Sequence, residues 1–206
     1  MKALLLGDAS NYHFSLACAL RARGHDVTVA SDGSRWMDTR RDIDLTRRPG
    51  KLGGALLWLR LNTLLARDLR GYDVVQLVAP TFLPLRPCRL LPLFRRLKRD
   101  NGAVYLTALG TDSSLVGNLL GPSPALRYSE YNTPAGPSPW SASADARCDQ
   151  WLERGLREYT DEIYNGVGGA VTALYEYHRI VSAEYPDLPL AYGGIPVEIP
   201  AGPPRS

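Results

Sequence analysis

The sequence predicts an α/β domain built on a mainly parallel sheet with helices on both faces. Three observations carry that expectation. A short apolar run at residues 2–6 (KALLL) is followed by helical spacing at 11–23 and a second apolar run at 26–30 (DVTVA), the strand–helix–strand order of a parallel unit. The alternation continues, with apolar runs at 73–78, 103–108, 168–173 and 188–192 separated by segments of helical spacing. Gly7, Gly24, Gly71 and Gly102 stand at the joints between these segments, where glycine stops one element and lets the chain turn into the next.

Taken in order, the first strand ends at Gly7 and opens into the loop GDASNYH. The helix after it places Leu16, Ala17 and Leu20 at three-and-four spacing, and Gly24 stops it. The second strand ends in Ser31-Asp32-Gly33 and gives way to a basic loop, 34–50, carrying Arg35, Arg40, Arg41, Arg47 and Arg48. A helix is expected over 52–69, with Leu52, Leu56 and Leu59 on its apolar side and Arg60, Thr63, Arg67 and Arg70 opposite. After the third strand at 73–78, residues 83–101 are apolar and basic, and Pro84, Pro87 and Pro92 restrict where a helix can begin. The fourth strand, 103–108, precedes a proline-rich stretch at 110–144 of a length that in compact domains is usually functional or mobile. Helical spacing returns at 145–164 around Trp151, Leu152, Leu156 and Tyr159, followed by a fifth strand (168–173), a short helix (175–183) and a sixth strand (188–192). The glycine- and proline-rich end reads as a linker, so one domain is expected over 1–199 with a linker or disordered tail at 200–206.

Composition narrows the classes. The 206 residues, 45% hydrophobic and 22% charged, suffice for one domain with a full core. A formal charge of +3 hides an asymmetry: residues 1–102 carry +9 and residues 103–206 carry −6. The basic half favours anionic partners, phosphates or an acidic membrane face. Cys18, Cys88 and Cys148 form no paired pattern, which argues against a disulfide framework or a zinc site and fits a reducing cytoplasm. His13, His25 and His178 are too scattered to suggest a metal centre. No secretory leader is expected, and the longest apolar stretch, 52–66, is interrupted by Arg60 and Asn62 and falls short of the ~18–20 residues that span a bilayer. The segment LRPCRLLPLFRRLKRD has two readings: an amphipathic helix covering the sheet with a solvated basic face, or a contact with an anionic membrane surface that would make the protein peripheral there. Nucleic acid is not expected, because no recognised motif is present and the aromatics are not interleaved with the basic residues.

Parallel sheets bind ligands at the carboxyl ends of their strands, which directs attention to the loops after each strand. The turn GDASNYH has one glycine, so it lacks the dinucleotide fingerprint; there is no G-x-x-x-x-G-K-[ST] loop and no G-x-S-x-G elbow. What stands at the strand ends is Asp8, His13, Asp32 and the triplet Gly110-Thr111-Asp112. A histidine or aspartate there can act as general base on a hydroxyl. His13 shares helical spacing with Leu16, Ala17 and Leu20, so packing or capping competes with a catalytic role; Asp112 is divided between capping the next turn and facing a ligand. Tyr175-Glu176-Tyr177 is a helix start that can also border a cleft.

The ordered set KALLLGD, R-x-R-G-H-D-V-T-V-A-S-D-G, GYDVVQLV, ALGTD, GGAVTALYEY and YGGIPVEIP resembles the N-terminal half of GT-B glycosyltransferases, from Lys2 to about Ile199. The resemblance implies a Rossmann-like lobe, one of two facing a cleft. That lobe holds a sugar, lipid-linked or small-molecule acceptor, while a C-terminal donor-binding lobe, in the same or another chain, holds a nucleotide-sugar donor. It implies no cofactor within this chain and a hexosyl-type transfer by the complete enzyme, with the isolated lobe inactive. The sequence ends where the interdomain linker of such enzymes begins. By position in the loop, His13 matches the region where inverting members place a base, with Asp112 as the other catalytic candidate. Gly7, Asp8, Asn11, Asp32, Gly110, Thr111, Tyr175 and Glu176 would contact substrate. The competing class is a non-enzymatic α/β domain that binds a phosphorylated or membrane-surface ligand.

Overall fold

The computed structural model describes residues 1–34, 37–120, 125–126, 128–140 and 148–194. In chain order the elements are β1 (Lys2–Leu6), α1 (Tyr12–Ala22), β2 (Asp26–Ser31), β3 (Ile43–Asp44), α2 (Gly50–Asn62), β4 (Val74–Leu77), α3 (Pro87–Asp100), β5 (Ala103–Ala108), α4 (Ser113–Leu120), β6 (Asn132–Thr133), β7 (Gly136–Pro137), α5 (Arg154–Gly166), β8 (Ala170–Thr172), α6 (Tyr175–Glu184) and β9 (Leu190–Tyr192). Seven strands form one sheet in the order β3-β2-β1-β4-β5-β8-β9, with every neighbouring pair parallel. Strands β6 and β7 make a separate antiparallel pair. The large sheet is Rossmann-like: the chain builds outward from β1 to β3, then returns to place β4 on the other side of β1.

Helices lie on both faces because the direction of strand addition reverses. The β1-to-β2 connection runs toward the β3 edge, whereas the later ones run toward β9, and crossovers of one hand must then use opposite faces. The pleat shows the division. Leu4, Leu6, Val75, Leu77, Val104 and Leu106 belong to the larger core, with Leu57 and Leu61 of α2, Leu90, Leu93, Phe94 and Leu97 of α3, and Ile163 of α5. Ala3, Leu5, Val27 and Val29 point the other way and pack with Ala17 of α1.

The expected strands and helices all occur, with shifts of a few residues, and four features were not foreseen. A two-residue strand, β3, lies in the basic loop after β2 and extends the sheet by one. Within the proline-rich stretch the chain forms α4 and the β6–β7 pair; the helix expected over 145–164 is borne out at 148–152 and in α5, its first three residues lying outside the described ones. Helix α3 runs through Pro92; Pro87 fits its first turn, and the carbonyl that Pro92 cannot bond belongs to Cys88 on the exposed side. Leu90, Leu93, Phe94 and Leu97 bury its apolar stripe while Arg95, Lys98 and Arg99 face solvent, the first of the two readings of that segment.

The fourth difference reverses an expectation. Helix α2 ends at Asn62 and turns follow, and its buried face is Gly53, Gly54, Leu57 and Leu61. Leu52, Leu56 and Leu59, read as the apolar side, are 78%, 52% and 58% exposed. Arg60 and Thr63, read as the opposite face, border the same hollow as Leu56 and Leu59, because at 3.6 residues per turn Thr63 returns to their side. The two glycines explain the choice. A Cβ on Gly53 would sit 1.8 Å from the Arg48 carbonyl oxygen, so the helix presses its bare backbone against the preceding segment. The tail expected at 200–206, Ile199, and Arg35 lie outside the described residues. Among the described residues, no helix is long and apolar enough to cross a membrane.

Candidate functional site

Between β1 and β4 the strand order reverses, and the loops leaving adjacent strands diverge to opposite faces. They open a crevice of about 510 Å3 at the carboxyl edge, bordered by Asp8 after β1, Asp32 and Ser34 after β2, Phe82 after β4, Gly110 after β5, and Trp151. One side of it carries carboxylates and a hydroxyl, the other aromatic and aliphatic carbon. Over Thr81, Pro84, Leu85 and Trp151 the crevice continues into a more apolar groove of about 940 Å3 beside α3 and α5.

Close approach of backbones shapes the floor. Gly7 has φ +79° and donates its N–H to the Ala30 carbonyl at 2.8 Å. A Cβ there would lie 2.4 Å from the Phe82 carbonyl oxygen and 2.5 Å from a Val78 methyl, so the β1 turn meets the β4 loop only because residue 7 is glycine. The Tyr159 hydroxyl donates to the Pro80 carbonyl and fixes that second loop; burial raises its pKa, keeping it a donor.

Asp8 is nearly buried and fully engaged. One carboxylate oxygen accepts the His13 N–H at 2.9 Å, in the first turn of α1, and the other accepts the Thr39 hydroxyl at 2.8 Å. Dinucleotide-binding sheets place a pyrophosphate at this helix terminus, where free N–H groups and the helix dipole favour negative charge. Here a carboxylate of the chain occupies it. Among the described residues, the non-glycine residues with left-handed φ are Ser10, Asn11, Ser34 and Asp38, and all four fall in the two loops after β1 and β2. A hydrogen bond from the Ser10 N–H to Ser34 Oγ, 2.8 Å, ties those loops together. Strained backbone held in place by its surroundings is characteristic of binding loops.

Asp32 borders the crevice on one side and, on the other, a hollow of about 440 Å3 that includes Arg41, Arg47 and Arg48. Its carboxylate accepts the Ser34 N–H at 3.2 Å. Gly110, with φ +82°, also borders the crevice, and its carbonyl accepts the Tyr177 hydroxyl.

The remaining sequence candidates lie elsewhere. His13 is completely buried, with Nδ1 2.6 Å from the Gly7 carbonyl oxygen. That oxygen can only accept, so Nδ1 carries the proton and Nε2 faces Thr107 Oγ1 at 3.4 Å. Burial lowers the pKa of the ring to about 4, outweighing the Gly7 bond and the nearby Asp8 charge, so the imidazole is neutral at neutral pH. It braces the turn from below and does not border the crevice. Asp112 is buried too: it accepts the Leu115 N–H at 2.8 Å, capping α4, and the Tyr164 hydroxyl at 2.9 Å. Burial raises its pKa against those two bonds. Thr111, Tyr175 and Glu176 are exposed at the same edge of the sheet but do not line the crevice, and Asn11 turns its amide to Ser15 Oγ.

Sequence reasoning missed Ser34, Trp151 and the loop from Pro80 to Leu85. The last had a legible signal, since PTFLPL is an apolar run in a strand-to-helix connection, where polar residues are the rule. Among the described residues no group of three or more His, Cys, Asp or Glu is placed to hold a metal ion. Comparison with known protein families and with curated proteins gives no match for this chain.

Proposed function

We propose that the crevice at the β1/β4 reversal is an acceptor site, and that the chain is the acceptor-binding lobe of a nucleotide-sugar-dependent glycosyltransferase. The observation that carries the reading is Asp8 at the head of α1, bonded to the His13 N–H. With a carboxylate there, and Asp32 beside it, the crevice disfavours a phosphate and suits a neutral ligand rich in hydroxyl groups. The apolar wall of Pro84, Leu109 and Trp151 and the groove beyond suit an acceptor with an apolar portion, such as an aglycone or a lipid-linked sugar. In the transfer, the acceptor oxygen bonds to the anomeric carbon as the bond to the nucleoside diphosphate breaks, and the acceptor proton leaves to a base. Asp32 is the carboxylate on the crevice wall suited to orient that hydroxyl. His13 and Asp112 act in this reading through the loops they brace.

The donor belongs to a second lobe, on the same or another polypeptide. The test is acceptor-dependent release of nucleotide from a panel of nucleotide sugars by this chain together with a donor lobe. Release by the pair and by neither part alone is the expected result. No release with any donor would place the chain in the competing class, a non-enzymatic binding domain.

A further inference from the structure

Among the described residues, six leucines are substantially exposed, and four of them, Leu52, Leu56, Leu59 and Leu64, fall within thirteen consecutive positions on and just after α2. Leu52, Leu56 and Leu59 follow i, i+4, i+7 spacing, which puts them along one side of the helix, and Leu64 joins Leu56 and Leu59 around a shallow hollow of about 360 Å3. Leu52 and Leu64 are 78% and 76% exposed, more than an isolated surface leucine needs to be. A row of leucines facing water is unfavourable unless something covers it.

The charges around the row identify the cover. From residue 45 to residue 72 the chain has Arg47, Arg48, Lys51, Arg60, Arg67 and Arg70 against a single acid, Asp68. Arg48 and Arg60 line the same hollow as Leu56, Leu59 and Leu64, and Lys51 is exposed beside Leu52. Arg96 of α3 bonds Asn62 and the Leu61 carbonyl at the end of α2, carrying the basic border toward Lys98 and Arg99. A second copy of the chain would bring two such basic patches together, which like-charge repulsion opposes. Leucines that enter the acyl boundary, ringed by cations that meet lipid phosphates, are the pattern of a helix lying in an anionic bilayer surface.

We infer that the Leu52–Leu56–Leu59–Leu64 face of α2 docks the protein onto membranes containing anionic phospholipid. The inference stands independently of the transferase reading. It also moves the membrane contact from α3, whose apolar stripe is consumed by the core, to α2, which carries a second apolar row that the core leaves uncovered.

The test is cosedimentation with vesicles of phosphatidylcholine alone or with one-third phosphatidylglycerol, at low and at physiological salt. Binding is expected to the anionic vesicles, at least tenfold tighter than to phosphatidylcholine and weaker as salt rises. The double substitution Leu56→Glu with Leu59→Glu should lower it by more than tenfold, and Arg48→Glu with Lys51→Glu by a comparable amount. All four positions are exposed or half-exposed on the surface, so circular dichroism should report an unchanged fold. Arg23→Glu, on the far side of the sheet at the end of α1, alters charge without touching the patch and should leave binding intact. The proposal is overturned if the wild type binds neither vesicle, or if the leucine pair can be replaced without loss. It is equally overturned if sedimentation shows a dimer that L56E/L59E dissolves, since the leucines would then belong to a protein interface.

Discussion

At the scale of single residues, His13 and Gly7 show a turn whose chemistry is spent on its own construction. The buried His13 ring is held neutral, its pKa near 4 in the fold against an ordinary 6.5. On acidification the unfolded chain takes up the proton first. The stabilisation is therefore complete above about pH 6.5 and is lost progressively as the pH falls toward 4, on the order of 3 kcal/mol in all. Urea unfolding at several pH values should show this loss, and His13→Gln, whose amide can still donate to Gly7, should lack that component of the slope. Equal slopes in the two proteins would mean the ring is not sequestered. Gly7 supplies a second comparison. Gly7→Ala forces a Cβ against Phe82 and Val78 at a left-handed φ, whereas Gly24→Ala meets the same φ penalty with nothing within 4 Å. Gly24→Ala should cost about 1–2 kcal/mol, and Gly7→Ala well beyond that, since clash adds to the backbone term.

At the scale of elements, α2 tests which side of a leucine-rich helix the fold uses. Leu61 is fully buried in the larger core, and Leu59, two positions earlier, is 58% exposed. Leu61→Ala should cost about 2–5 kcal/mol in thermal or urea unfolding, while Leu59→Ala should stay within about 0.5 kcal/mol. Similar costs at both positions would mean the helix is turned otherwise. The strands, and helices such as α3 whose basic and apolar residues separate cleanly, were legible in the sequence because periodicity and charge agree there. Helix α2 was not, since leucines occur on both sides and the deciding residues, Gly53 and Gly54, act through what they lack. The two-residue strand β3 was illegible for a related reason: it pairs only two residues with β2, at Ala30 and Ser31, and two residues carry no period. Capping by Asp112 was one of two open readings, and the Tyr164 bond that fixes it comes from a residue 52 positions away.

At the scale of the whole molecule, the strand order gathers the crevice-lining loops at one edge and places the glycine turns before β2, β4 and β5 at the other. Gly24, Gly71 and Gly102, all legible as stops, lie at the amino-terminal edge before β2, β4 and β5. The sequence pointed to Asp8, Asp32 and Gly110 because each follows a strand, and the fold brings these three to one crevice. It could not separate them from His13 and Asp112, which follow strands as well, because burial is decided by helices packed from elsewhere in the chain. The crevice makes a prediction about ligand class that amide chemical shifts of the intact chain can check. Titration with methyl glycosides should move the signals of Ser10, Ser34, Thr81 and Gly110 together, since four separate strands deliver them to one cavity. Those of Gly24, Gly71 and Gly102 should hold still. Inorganic phosphate should leave the Ser10–His13 signals in place, because Asp8 already fills the head of α1. Asp8→Asn keeps an acceptor for the His13 N–H, removes the negative charge, and should make those signals respond to phosphate. If phosphate moves them in the wild type more strongly than the glycosides do, the crevice is an anion site and the neutral-acceptor reading fails.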